Sequence, residues 1–80
     1  MSVRIVFLGP LRDLAGEAER EVPAPLDWGG LLATVGPIIA EQLRDDRVHI
    51  ACAGRILADK TALDARDGDE VALLPPVSGG

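Results

Sequence analysis

The sequence predicts an α+β fold, a mixed sheet of four to five strands packed on one main helix with a short second helix. Three observations predict it. Apolar, β-branched runs stand near both ends of the chain, at residues 3–8 ("VRIVFL") and 70–75 ("EVALLP"). A charged-apolar alternation at residues 19–23 ("EREVP") follows the first run closely enough to fold back on it as a hairpin. Between these regions, Leu31, Leu32, Val35, Ile38, Ile39 and Leu43 recur at roughly helical spacing.

The first strand stops at Gly9-Pro10, and "LRDLAG" at 11–16 reads as a turn-like link. Pro23 closes the second strand, because a residue without a backbone N–H cannot continue a ladder. Asp27 is placed to cap a helix over about 27–35. Gly36 and Pro37 interrupt it, so the remaining periodicity belongs to a shorter helix near 37–45. "VHIACA" at 48–53 is a third strand with Val48, Ile50 and Cys52 on one face; Gly54 turns it into a brief strand at 55–57. "DGDE" at 67–70 is the turn into the last strand. A sheet that opens with a hairpin, is crossed by a helix and ends beside its first strand matches the β-grasp arrangement, with first and last strands parallel at the centre.

Composition narrows what such a domain does. Eighty residues with 48% hydrophobic content and a net charge of −5 describe one globular domain rather than a disordered chain. The acidic balance and scattered cations exclude a nucleic-acid face and favour a cationic protein partner. One cysteine, Cys52, permits no internal disulfide and no Cys-rich metal site. No apolar run reaches the ~20 residues of a membrane span, and the N-terminus lacks a leader pattern, so the cytoplasm is the default compartment.

Strand alternation then points to a partner surface. Val3, Ile5 and Phe7 share the helix side, which leaves Val6 and Leu8 facing outward; in the last strand Glu70, Ala72 and Leu74 form the outward set. If the two strands are neighbours, Val6, Leu8, Ala72 and Leu74 make an apolar stripe running into Pro75, Pro76 and Val77.

The chain ends "LLPPVSGG". Pro75 and Pro76 cannot extend the ladder and push the chain off the sheet. Residues 1–76 are therefore the domain, and 77–80 a flexible functional tail. Val77 and Ser78 give reach, Gly79 gives clearance in a narrow channel, and Gly80 carries the usable group, its carboxylate. A carboxylate needs activation before attack, and no phosphate-cradling motif is present here. ATP is therefore used by a separate activating enzyme, with no cofactor or metal bound by this chain.

At 67–80, "DGDEVALLPPVSGG", and at 3–16, "VRIVFLGPLRDLAG", the sequence resembles the MoaD-type sulfur carriers, the small subunits of molybdopterin synthase. Arg12 and Asp13 match that family's Arg-acidic pair; the likeness spans the chain and is looser over 17–47. The resemblance implies a ubiquitin-like β-grasp fold whose terminal glycine is adenylated and then converted to a thiocarboxylate. That group would deliver sulfur for the molybdopterin dithiolene inside the large synthase subunit, in a heterotetramer of two small and two large chains. It makes Gly80 the sulfur-bearing residue and Leu8, Ile56 and Leu74 partner contacts, in a subunit with no catalytic side chains of its own. Where the family commonly has Val-Asn-Gly, this chain has Cys52-Ala53-Gly54. A carrier for thiazole or cysteine synthesis and a ubiquitin-like protein modifier are the alternatives. Of the other reactive side chains, Cys52 reads as core filling, His49 as a surface residue, Lys60 as a solvated loop residue and Trp28 as core.

Overall fold

The computed structural model describes residues 1–76, so the tail residues Val77, Ser78, Gly79 and Gly80 lie outside the described residues. Strands β1 (Ser2–Phe7) and β2 (Glu19–Pro23) form the expected antiparallel hairpin, with Val3 opposite Val22. Strand β7 (Glu70–Leu74) lies parallel to β1, pairing Ile5 with Val71 and Phe7 with Leu73. Strands β4 (His49–Cys52) and β5 (Arg55–Ile56) complete a five-stranded sheet of order β2-β1-β7-β4-β5. The first and last strands are thus central and parallel, as the sequence predicts.

Alternation decides which residues enter the core. Val3, Ile5 and Phe7 of β1, Ile50 of β4, and Val71 and Leu73 of β7 are all fully buried on one sheet face. Helices α2 (Trp28–Val35) and α3 (Pro37–Leu43) cover that face with Leu31, Val35, Ile39, Ala40 and Leu43. Asp27 caps α2 as its position suggests, its Oδ1 accepting the Gly30 N–H at 2.7 Å. Gly36, at φ +87°, takes a backbone conformation closed to other residues and separates the helices, and Pro37 begins α3 where its missing N–H costs nothing. Trp28 packs against the core while remaining half-buried.

Two elements depart from the sequence expectation. Residues 10–15 are not a link but a helix, α1 (Pro10–Ala15), with Pro10 at its start and left-handed Gly16 closing it through an N–H bond to Arg12 O at 2.9 Å. Six residues with a single buried side chain, Leu11, are too few to display a period. Strands β3 (Leu26–Asp27) and β6 (Asp64–Ala65) form a second, two-stranded sheet that joins buried Leu26 to buried Ala65. Two residues cannot alternate visibly. The last strand stops at Leu74 instead of Pro75, since Pro75 has no N–H to donate.

Arg20 shows how the hairpin edge is secured. It lies on the helix side of β2, its guanidinium carbon 5.4 Å from the Phe7 ring centroid, and it donates to Thr34 O at 2.9 Å and to Glu17 Oε2 at 2.9 and 3.0 Å. One side chain therefore ties β2 to α2 while closing the core over Phe7.

The β4–β5 turn accounts for the Ala53 departure noted above. Cys52 pairs with Arg55, so the turn has only Ala53 and Gly54 between them, at φ +52° and +83°. A two-residue hairpin turn with both residues at positive φ favours Asn at its first position, whereas Ala pays the left-handed penalty. Ala53→Asn is expected to raise stability by about 0.5–1 kcal/mol, read as a higher urea midpoint with an unchanged slope.

Candidate functional site

The outward face of the sheet carries the stripe. Cross-strand register aligns Val6 with Ala72, Ala72 with Ala51, and Ala51 with Ile56, an unbroken apolar row across four strands. Leu74 and Leu8 lie above this row, beyond the Phe7–Leu73 pair. Ile56 is 65% exposed and Leu8 37%, whereas Val6, Ala51, Ala72 and Leu74 shield one another and are half-buried. The four predicted contacts, Val6, Leu8, Ile56 and Leu74, therefore belong to one surface, and Ala51 joins them.

Charge frames this surface. Glu19 and Glu21 of β2 lie opposite Val6 and Arg4, and Arg4 reaches Glu70 Oε2 at 3.7 Å with both side chains more than half exposed. Exposed pairs of this kind contribute little stability and act chiefly on orientation. His49 is exposed and pairs directly with Leu74, so a surface histidine stands where the tail begins.

The tail root has its own supports. Pro75 is half-buried and Pro76 exposed, both past the end of β7. Gly9, at φ +56°, sits so close that a Cβ there would lie 3.2 Å from Pro75 Cγ. On the helix side, Pro75 and Pro76 border a groove of about 470 Å³ lined also by Leu11 and Leu14 of α1 and by Arg47 and Val48. Sequence reading placed Gly9 only as a strand stop. Its packing against Pro75 depends on bringing the ends of β1 and β7 together.

Arg47 is fixed by Asp45, whose Oδ2 accepts from Nη2 at 2.9 Å and whose Oδ1 accepts from the Arg47 backbone N–H at 2.8 Å. These bonds, the side-chain one foremost, lower the Asp45 carboxyl from 3.8 to about 2.

The side chains of Cys52 and Lys60 are turned away from the apolar face or held. Cys52 points inward opposite Val71, at the end of the sheet remote from the tail root, where Leu74 pairs with His49. Burial raises its thiol pKa, and the Asp69 carboxylate, 3.9 Å from Sγ, adds to the shift. Lys60 corrects the sequence expectation. Far from being solvated, it is half-buried and donates from Nζ to Asp45 O at 2.5 Å and Val48 O at 3.0 Å. Among the described residues no group of His, Cys, Asp or Glu could hold a metal ion, and no helix is long and apolar enough to cross a membrane.

A central parallel pair formed by the chain's two ends, helices on one sheet face and an apolar stripe on the other define a ubiquitin-like β-grasp protein. The chain belongs to the ThiS family, whose model matches residues 5–80, and thus to the ThiS/MoaD sulfur carriers that its two ends resemble. SAMP1 from Haloferax volcanii is similar at 30% identity and TM-score 0.72, with 100% of both chains covered. A molybdopterin-converting factor from Helicobacter pylori, solved as a complex of subunits 1 and 2, matches at 30% identity and TM-score 0.61, again over 100% of both chains. The Amycolatopsis orientalis BexX/CysO complex, at 18% identity and TM-score 0.72 over 98% of this chain and 99% of that one, shares the fold alone. No curated protein sequence matches.

Two outcomes test the tail root. Gly9→Ala combines a positive φ with the 3.2 Å contact to Pro75 and is expected to cost about 1–3 kcal/mol in urea unfolding, with the largest amide shift changes at Leu8 and Leu74. In an NMR titration the Asp45 carboxyl should show a midpoint of about 2. Because the folded value is depressed, whatever this group adds to stability is present above the ordinary carboxylate range and lost as pH falls toward that midpoint. Arg47→Leu should return the midpoint toward 3.8.

Proposed function

We propose that this protein is a sulfur carrier for molybdopterin synthesis, with Gly80 as the residue that bears the sulfur. The observation that carries the reading is the apolar row from Val6 to Ile56, which adjoins Leu74 and leads into the Pro75-Pro76 exit. A docking face that adjoins the start of a diglycine tail suits a protein that seats on a partner while its last residues enter that partner's active site.

The chemistry proceeds on the tail carboxylate, with residues 77–80 as the working segment and 1–76 as the domain that presents them. A separate activating enzyme joins the Gly80 carboxylate to the adenylyl group of ATP and releases pyrophosphate. Hydrosulfide from a sulfur donor then attacks the carbonyl carbon, AMP leaves with the C–O electron pair and the sulfur loses its proton to water, so the terminus becomes a thiocarboxylate. The larger synthase subunit receives it, in an assembly of two small and two large chains, and supplies the catalytic side chains. Similarity to subunit 1 of a molybdopterin-converting factor, and to a chain of a complex of subunits 1 and 2, supports this partner. Its docking surface would be apolar at the centre and cationic opposite Glu19 and Glu21.

Similarity to SAMP1 at the same identity favours a second reading, a ubiquitin-like modifier joined through Gly80 to amines of other proteins. Both uses begin with adenylation and diverge at the nucleophile, sulfur in one case and an amine in the other.

Intact-mass measurement after coexpression with a cognate activating enzyme, ATP and a sulfur donor should show one oxygen exchanged for sulfur, lost when Gly80 is deleted. An unchanged mass together with Gly80-dependent higher-mass conjugates would reassign the protein as a modifier. Recovery of a thiazole or cysteine synthase in place of a pterin-binding subunit would reassign the pathway. Ile56→Asp, at a site 65% exposed, should leave the unfolding midpoint nearly unchanged. It should also weaken partner binding by about tenfold or more in calorimetry.

A further inference from the structure

We infer that the fold withholds the chain's one lysine ε-amine, so that the protein donates an activated carboxyl without accepting one on a lysine. Lys60 is the single lysine among eight basic residues; the others are arginines. A guanidinium stays protonated at any working pH and is no nucleophile, so seven of the eight cations provide charge without amine reactivity.

The eighth is held at both ends. Lys60 begins a 3₁₀ turn, Lys60–Ala62, fixed by Asp59, whose Oδ1 accepts the Thr61 N–H at 3.0 Å and the Thr61 hydroxyl at 2.6 Å. From this anchored stem Nζ reaches Asp45 O at 2.5 Å and Val48 O at 3.0 Å, both in the connection between α3 and β4. Asp45 O also accepts the Val48 N–H at 2.9 Å, and Asp45's carboxylate grips Arg47, so the receiving loop is itself closed.

Acylation would undo this arrangement. The amine nitrogen attacks the carbonyl carbon of an activated terminus, a C–N bond forms, and the C–O bond to adenylate breaks. AMP leaves with the electron pair and the surplus proton passes to water. The resulting amide nitrogen keeps one N–H where the ammonium had three, so it cannot serve both carbonyls. One of the two bonds is then lost, and a polypeptide must also be accommodated at a half-buried head group. For a protein whose terminus is made reactive toward nucleophiles, this suppresses chains of carriers linked through lysine. Only this last consequence rests on the proposed function; the shielding does not.

The test uses the full chain and Arg55→Lys, which adds an amine at an exposed turn-flanking position outside the apolar row. N-Hydroxysuccinimide acetate is added at neutral pH and labelling is followed by peptide mass mapping. In the folded protein Lys60 should acetylate about tenfold or more slowly than the amine at position 55, and in urea the two rates should converge. Equal rates in the folded state would overturn the inference. In a second arm the chain carries a chemically prepared C-terminal thioester, with no activating enzyme. Arg55→Lys should give conjugates mapping to position 55, and wild type none at residue 60. Conjugates through Lys60 would overturn it as well. Neither arm involves a sulfur donor, so a carrier that never becomes a thiocarboxylate would defeat the proposed function while leaving this result intact.

Discussion

The parallel pairing of β1 with β7 is the constraint on which the rest of the molecule depends. It joins the two ends of the chain in the middle of the sheet, and its register puts Ile5 beside Val71 and Phe7 beside Leu73 on the buried side. The same register puts Val6 beside Ala72 on the open side, so core and apolar stripe are two faces of one alignment. A slip of one residue would exchange them. Bonds at the start of the pair hold it in place: Arg4 N–H to Asp69 O at 3.0 Å, Gly68 N–H to Ser2 O at 2.8 Å, and Ser2 N–H to the Asp67 carboxylate at 2.9 Å. Long-range contacts of this kind carry a loop-closure cost, which buried residues on both strands offset.

From that pairing the tail root follows. Because β1 and β7 run in the same direction, both end at the same edge, and Gly9 meets Pro75 there. Leu8 lies on the same side of the sheet as Leu74, and antiparallel β4 brings His49 alongside. The chain therefore leaves the sheet at a point surrounded by an apolar face, a helix-side groove and a supporting glycine. The reactive side chains are disposed in the opposite sense, with Cys52 turned inward at the far end and Lys60 bound to two carbonyls. The fold thus restrains Cys52 and Lys60, while His49 stays exposed beside Leu74.

Strong local signals carried much of this into the sequence. β1, β2 and β7 were legible because each alternates or runs apolar up to a breaker, and the α2 cap because Asp27 precedes a helical period. The outward stripe followed from alternation alone. Ile56 was different: in a two-residue strand no alternation is visible, and only its likeness to a family position marked it. Helix α1 and the β3–β6 pair were illegible for the same reason, being shorter than any period that could declare them. Lys60 was misplaced because a lysine beside Asp59 and Thr61 reads as a surface loop, and the carbonyls that receive it come from a separate segment.

By itself, then, the sequence determined the order of the main elements, the inward and outward faces of the long strands and the end of the sheet at the Pro75-Pro76 pair, since each is a property of neighbouring residues and their backbone chemistry. Tertiary structure alone decided that the stripe crosses four strands, that Gly9 supports Pro75 and that Lys60 is shielded. Those facts join residues far apart in the chain, and their distances are set by sheet register and by which connection packs against which, quantities that no local pattern encodes.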